Sequence, residues 1–194
     1  MTGLYLAGTE ARSGKSAVAV GLLHQMARRH RRVGVFRPVV RDGADEDELL
    51  RVLCQEAPTD LPPARCWGVT DAELHASPER AMGTIVDRFH EVARAHDRVL
   101  VAGTDFTGVR APAEFATNAT VAANLGAPML LVVPARSRPP REVAAAAAAA
   151  VAAARHEHAH VVGVVANQVP DGAGVEVTTA LHDRLGTVPA WALP

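Results

Sequence analysis

Short aliphatic and β-branched runs recur along the chain, and each precedes a longer stretch in which apolar residues return every three or four positions. Leu4-Tyr5-Leu6-Ala7 leads into helical periodicity from Ser16 to Arg29, and Val33-Gly34-Val35-Phe36 into a second from Glu46 to Glu56. The second half repeats the alternation with strands predicted at Arg98 to Val101, Met129 to Val133 and His160 to Val165. Further helices are predicted at Pro78 to Ala95, Ala113 to Leu125, Pro140 to His156 and Gly174 to Leu185. Ala144 to Ala154 is almost entirely alanine, but alanine has the highest helix propensity and Pro139-Pro140 supply a start signal, so this run is expected to be helical. Ala57 to Arg65, with Pro58, Pro62 and Pro63, reads as an irregular crossing. Strand runs that are continuously apolar imply a sheet covered on both faces, which is the habit of parallel strands. The expected fold is α/β, a three-layer α/β/α sandwich on a mainly parallel sheet, in a single domain over residues 1–194.

Composition supports this picture. The chain is 48% apolar and 21% charged, ordinary for a globular domain, and long enough for one well-buried core. A formal net charge of -1, with basic residues dispersed among acids, offers no electrostatic footprint for nucleic acid. No apolar stretch is long enough to span a bilayer, and Met1 runs directly into a strand pattern without a basic leader, so a cytoplasmic location is expected. Cys54 and Cys66 stand apart in sequence without Cys-x-x-Cys spacing and are expected to be two buried thiols rather than a disulfide or a metal site, without a chemical role.

Chemistry enters through a single residue. Lys15 is the only lysine; every other Lys/Arg position is arginine. It lies in Gly8-Thr9-Glu10-Ala11-Arg12-Ser13-Gly14-Lys15-Ser16, between a strand and a helix start, the order a phosphate-binding loop requires. Backbone N–H groups of the turn and the positive end of the helix would cradle a polyphosphate, Lys15 would neutralise its terminal oxygens, and the Ser16 hydroxyl would hold magnesium. Five residues separate Gly8 from Gly14, one more than in the commonest form of the motif. The expected cofactors are ATP or another nucleotide, with Mg.

Gly8-Thr9-Glu10 leading to Gly14-Lys15-Ser16, then Val33 to Val39 and Val164-Val165-Ala166-Asn167, resembles dethiobiotin synthetase, a P-loop NTPase type that uses ATP to close a ring on a carbamate. The resemblance implies that Asn167, at the end of a late strand, reads the adenine edge; a loop-capping asparagine is the alternative for that position. Through the middle, Gly68-Val69-Thr70, Ile85 to Val92, Gly103-Thr104-Asp105-Phe106 and Ala122 to Pro128 are similar to the N-terminal domain of long bacterial phosphate acetyltransferases. That domain shares the synthetase fold. Its implied role is regulatory or in assembly, with acetyl transfer in a separate C-terminal domain expected to lie beyond Pro194. The resemblance further implies a homo-oligomer.

Two positions depart from the synthetase pattern. Lys15 and Arg37 are the candidate catalytic residues, but the synthetases carry lysine at the position of Arg37, and a guanidinium does not reproduce ammonium geometry. Ala102 stands where the resemblance implies a magnesium-binding glutamate, a loss expected to weaken phosphoryl transfer. Carboxylates at the expected carboxyl edge of the sheet are the candidates to compensate: Asp105 and Asp45 with Ser16 as metal ligands, and Asp42 and Asp47 near them, or these loops are simply solvated. His156, His158 and His160 are expected to mark helix termination, with metal binding as the alternative, and Asn124 to cap the helix that contains Asn118. The sequence therefore leads to a nucleotide- or phosphate-binding regulatory or assembly module; an ATP- and Mg-dependent ligase and a scaffold with a relic loop are the alternatives.

Overall fold

A computed structural model describes residues 3–41, 47–59, 61–104 and 111–194, excluding the side chains of 111–113. Its strands are β1 (Gly3–Gly8), β2 (Val33–Val40), β3 (Trp67–Thr70), β4 (Arg98–Ala102), β5 (Met129–Pro134), β6 (Val161–Asn167) and β7 (Ala190–Ala192). The helices are α1 (Lys15–Ala27), α2 (Glu48–Glu56), α3 (Asp71–Ala76), α4 (Pro78–Ala95), α5 (Ala111–Asn124), α6 (Pro140–His156) and α7 (Gly174–Leu185). The strands form a seven-stranded sheet in the order β3-β2-β4-β1-β5-β6-β7. The α/β class and the parallel sheet are as predicted. By compactness the chain divides into two units: Met1–Tyr5, Ser16–Thr104 and Asn124–Ala127 in one; Leu6–Lys15, Asp105–Ala123 and Pro128–Pro194 in the other.

In the first unit, β2 pairs in parallel with β4, matching Val33 to Arg98 and Phe36 to Val101, and with β3, matching Arg37 to Trp67. All eight residues of β2 are buried, which explains its unbroken apolar pattern. Helix α4 buries Ala81, Ile85, Phe89 and Val92, one stripe at helical spacing, and Phe89 meets Phe36 edge-on at 5.7 Å. β3 and α3 were not predicted as elements. Four and six residues are too short for a period to declare itself, although the capping box at the start of α3, Thr70 with Glu73, is a readable start signal. The proline-rich crossing contains one 3-10 turn, Pro63–Arg65.

In the second unit, β6 lies between β5 and β7, in parallel with both. The alanine run is helical as expected. Val143, Ala147, Ala150 and Ala154 form its buried stripe, and small side chains there let α6 sit close to β5 and β6. Beyond α6, His158 takes a left-handed φ of 62°, so this histidine segment does terminate the helix. Asn124 is the last residue of α5, and the left-handed turn falls at Gly126, φ 58°. β7, three residues long, was missed for the same reason as β3. No helix among the described residues is long and apolar enough to cross a membrane.

Candidate functional site

β1 delivers the chain into the Gly8–Ser16 loop, and α1 begins on Lys15. The loop is tied down at both ends within the second unit. At its start, the Thr9 N–H and hydroxyl both donate to the carbonyl of Val132 in β5, at 3.0 and 3.3 Å. The chain then doubles back over Gly8, where a Cβ would stand only 2.5 Å from Ser13 Oγ. At the loop's end, Asn167 Nδ2 donates to the Ser13 carbonyl at 2.9 Å. Gly14 adopts φ 76°, and any Cβ there would collide with Asn167 Nδ2. Ser13, Lys15 and Asn167 are buried, Lys15 with 3% of its surface exposed; Ala11, Arg12 and Ser16 are exposed.

This geometry suits an anion. Left-handed Gly14 beside helical Lys15 turns successive N–H groups to one side, and Arg12 at φ 58° adds a second left-handed step. The first turn of α1 carries no acidic residue, so the positive end of its dipole is not neutralised from within. A buried ammonium and a backbone nest are donors of the kind that a polyphosphate accepts from. Asp45 and Asp105, the proposed carboxylate ligands, and Asp42 lie outside the described residues.

Glu10 is the one acid in the loop. Arg138 grips it end-on, Nη1 to Oε1 and Nη2 to Oε2, both at 2.6 Å. Hydrogen bonding to this guanidinium holds the Glu10 carboxyl below its ordinary value, against a smaller opposing effect of burial, and Glu10 raises Arg138 in turn. Sequence reasoning missed Arg138. The signal available was its place just after β5, on the carboxyl edge of a parallel sheet where such folds bind ligands.

In the first unit, Arg37 is held by protein groups. Its guanidinium is buried, donating from Nε to Asp47 Oδ2 at 2.9 Å and from Nη1 to the carbonyls of Ala102 and Gly103 at 3.3 and 2.5 Å. Asp47 is neither solvated nor free to bind metal: its side chain is 8% exposed and its other oxygen caps α2 through Leu50 N–H at 2.8 Å. Both cysteines are free thiols. Cys66 is buried and its thiol donates to the Pro62 carbonyl at 3.6 Å; Cys54 of α2 is partly exposed, and interaction with Cys66 followed by burial pushes its thiol up.

A family model described as an AAA domain matches residues 2–190. The chain belongs to that family. Among curated proteins it is similar to the phosphate acetyltransferase of Nitratidesulfovibrio vulgaris, 31% identical over 172 residues that cover 85% of this chain and 24% of that protein. It is likewise similar to the phosphate acetyltransferase of Synechocystis, 28% identical over 193 residues, 96% of this chain and 28% of that protein. The chain thus spans about a quarter of the length of these relatives, and its match to them fits the N-terminal P-loop domain that the sequence resembles. Solved structures agree on an α/β P-loop NTPase-like fold. Chloroplast FtsY of Physcomitrella patens superposes with a TM-score of 0.64 at 17% identity, covering 98% of this chain and 58% of that one. FtsY of Elizabethkingia anophelis in complex with GDP gives 0.63 at 14%, covering 98% and 55%.

Proposed function

We propose that residues 1–194 form one nucleotide- or polyphosphate-binding domain with a regulatory or assembly role in a cytoplasmic phosphate acetyltransferase-like protein, acting on an acetyl-transfer domain in the same longer chain. The observation that carries this reading is the braced loop: a buried Lys15 at the head of α1, with Gly14 in a left-handed nest. The family match runs through both compact units, which supports a single domain, and the matched relatives are phosphate acetyltransferases. ATP or another nucleotide is the ligand class, with Mg held from Ser16, and a homo-oligomer is the expected assembly. A ligase of the dethiobiotin synthetase type is the weaker reading. Arg37 is engaged by Asp47 and two carbonyls rather than presented to a phosphoryl group.

Calorimetric titration tests the proposal. Saturable binding of ATP or ADP with magnesium is expected, and loss of that binding in Lys15→Ala. Absence of binding in the unmodified protein would leave only the scaffold. Release of ADP on incubation with ATP, bicarbonate and diaminopelargonic acid would favour the ligase instead.

A further inference from the structure

An acid inside an anion-binding loop is unfavourable unless something cancels it, and Glu10 is cancelled by a residue far away in sequence. β5 ends at Pro134, Ser137 turns the chain with φ 57°, and the Arg138 N–H returns to the Ala135 carbonyl at 3.2 Å. Pro139 and Pro140 then stiffen the entry to α6. The same strand that receives both Thr9 hydrogen bonds therefore delivers Arg138 to the next loop residue, Glu10. Two parallel N–H···O bonds fix the plane of the guanidinium as no single contact would. They use only one edge of it. The Nε–H and the outer Nη hydrogens remain for another acceptor, and the side chain is one-third exposed.

From this geometry we infer that Arg138 is the second cationic contact of the loop: Glu10 anchors it, and its remaining N–H groups bind a phosphate oxygen of the ligand. The inference rests on the polyphosphate reading of Gly8–Ser16. Glu10 is then an orienting residue, and Arg138 supplies a fork that lysine could not reproduce, because an ammonium lacks a second planar edge. A hydrogen bond to a charged partner of this kind contributes about tenfold or more in affinity.

Titration calorimetry with two probes, ATP and inorganic tripolyphosphate, separates contact from charge cancellation. Arg138→Gln is expected to weaken both probes about tenfold or more. The same substitution in a Glu10→Gln background, where the amide oxygen still accepts one N–H, is expected to weaken them again by a smaller factor, since the contact with the ligand is lost from a looser anchor. If removing Arg138 in that background leaves both affinities unchanged, Arg138 only cancels Glu10 and the inference is overturned. Arg138→Lys keeps the charge and packing stem, guards against a folding defect in the glutamine variant, and should still bind both probes more weakly than wild type. Wild-type affinity in Arg138→Lys would also overturn it. Failure of the wild-type protein to bind either probe sinks the loop reading itself, a different outcome from binding that depends on Lys15 and ignores Arg138.

Discussion

Gly14 is held by two independent constraints. Its φ of 76° is strained for any side chain, and the space a Cβ would fill belongs to Asn167 Nδ2. Gly14→Ala is therefore expected to destabilise the chain by about 1–3 kcal/mol, part conformational and part steric. Asn167→Ala removes the donor from the buried Ser13 carbonyl and is expected to cost about 1–2 kcal/mol. The double variant should cost less than the sum, because the amide that would clash with the introduced methyl group has gone, while the backbone strain persists. Urea unfolding of all four proteins measures this coupling, and additivity within about 0.5 kcal/mol would show that the two side chains do not share the space. Lys15 and its loop were legible in the sequence because strand, glycines and helix start are consecutive. The braces were not, since Asn167 and Arg138 reach the loop across long stretches of chain and one of the acceptors is a backbone carbonyl with no residue signature. The partners of Arg37 were illegible for a related reason. Its type signals charge, but only the fold shows it paired with Asp47 and with the carbonyls of Ala102 and Gly103.

Long elements declared themselves, and short ones did not. The predicted limits of α4, α6 and α7 coincide with those observed: α4 and α7 present three turns or more of periodic sequence between recognisable boundaries, and α6 a long run of the best helix former behind Pro139-Pro140. β3 and β7 offer four and three residues, and their pairing is set by neighbours rather than by their own pattern. Helix α6 shows what periodicity alone leaves open. An alanine run has no hydrophobic stripe to read, yet Ala147 is wholly buried while Ala149 is exposed. Ala147→Leu is expected to overpack the contact with the sheet at a cost of about 1–3 kcal/mol. In a domain of this size that lowers Tm by about 2–4 °C per kcal/mol. Ala149→Leu, one face away, should change stability by no more than about 0.5 kcal/mol. Equal effects at the two positions in a thermal melt would mean that α6 does not pack as described.

The titratable groups with resolved shifts set how stability of the whole chain follows pH. Glu10 is held low by Arg138, Glu73 by the Thr70 N–H and hydroxyl, and Asp97 by Arg32. Each is a carboxylate with a folded pKa below its unfolded one, so the unfolded chain binds more protons in acid. Their contribution is present above the ordinary values of 4.5 and 3.8 and is lost as pH falls through the depressed ones. All three are substantially exposed, so the acid limb should be shallow, and Glu10→Gln should make it shallower. The alkaline side has a different origin. Tyr5 is wholly buried, and desolvation raises its phenol above the ordinary 10.0 despite the opposing pull of Arg37. A raised folded pKa gives stability that is complete below the unfolded value and lost as pH climbs beyond it, because only the unfolded chain can ionise freely. Cys54, also raised, acts in the same sense from its ordinary 9.0 upward, and Cys66, lowered by its interaction with Cys54, acts against it. Tyr5 therefore dominates the limb. Denaturant midpoints are expected to be flat between about pH 5 and pH 9 and to fall above about pH 10. Tyr5→Phe should fall less steeply with pH. An alkaline slope unchanged by that substitution would assign the limb to a group other than the buried phenol of β1.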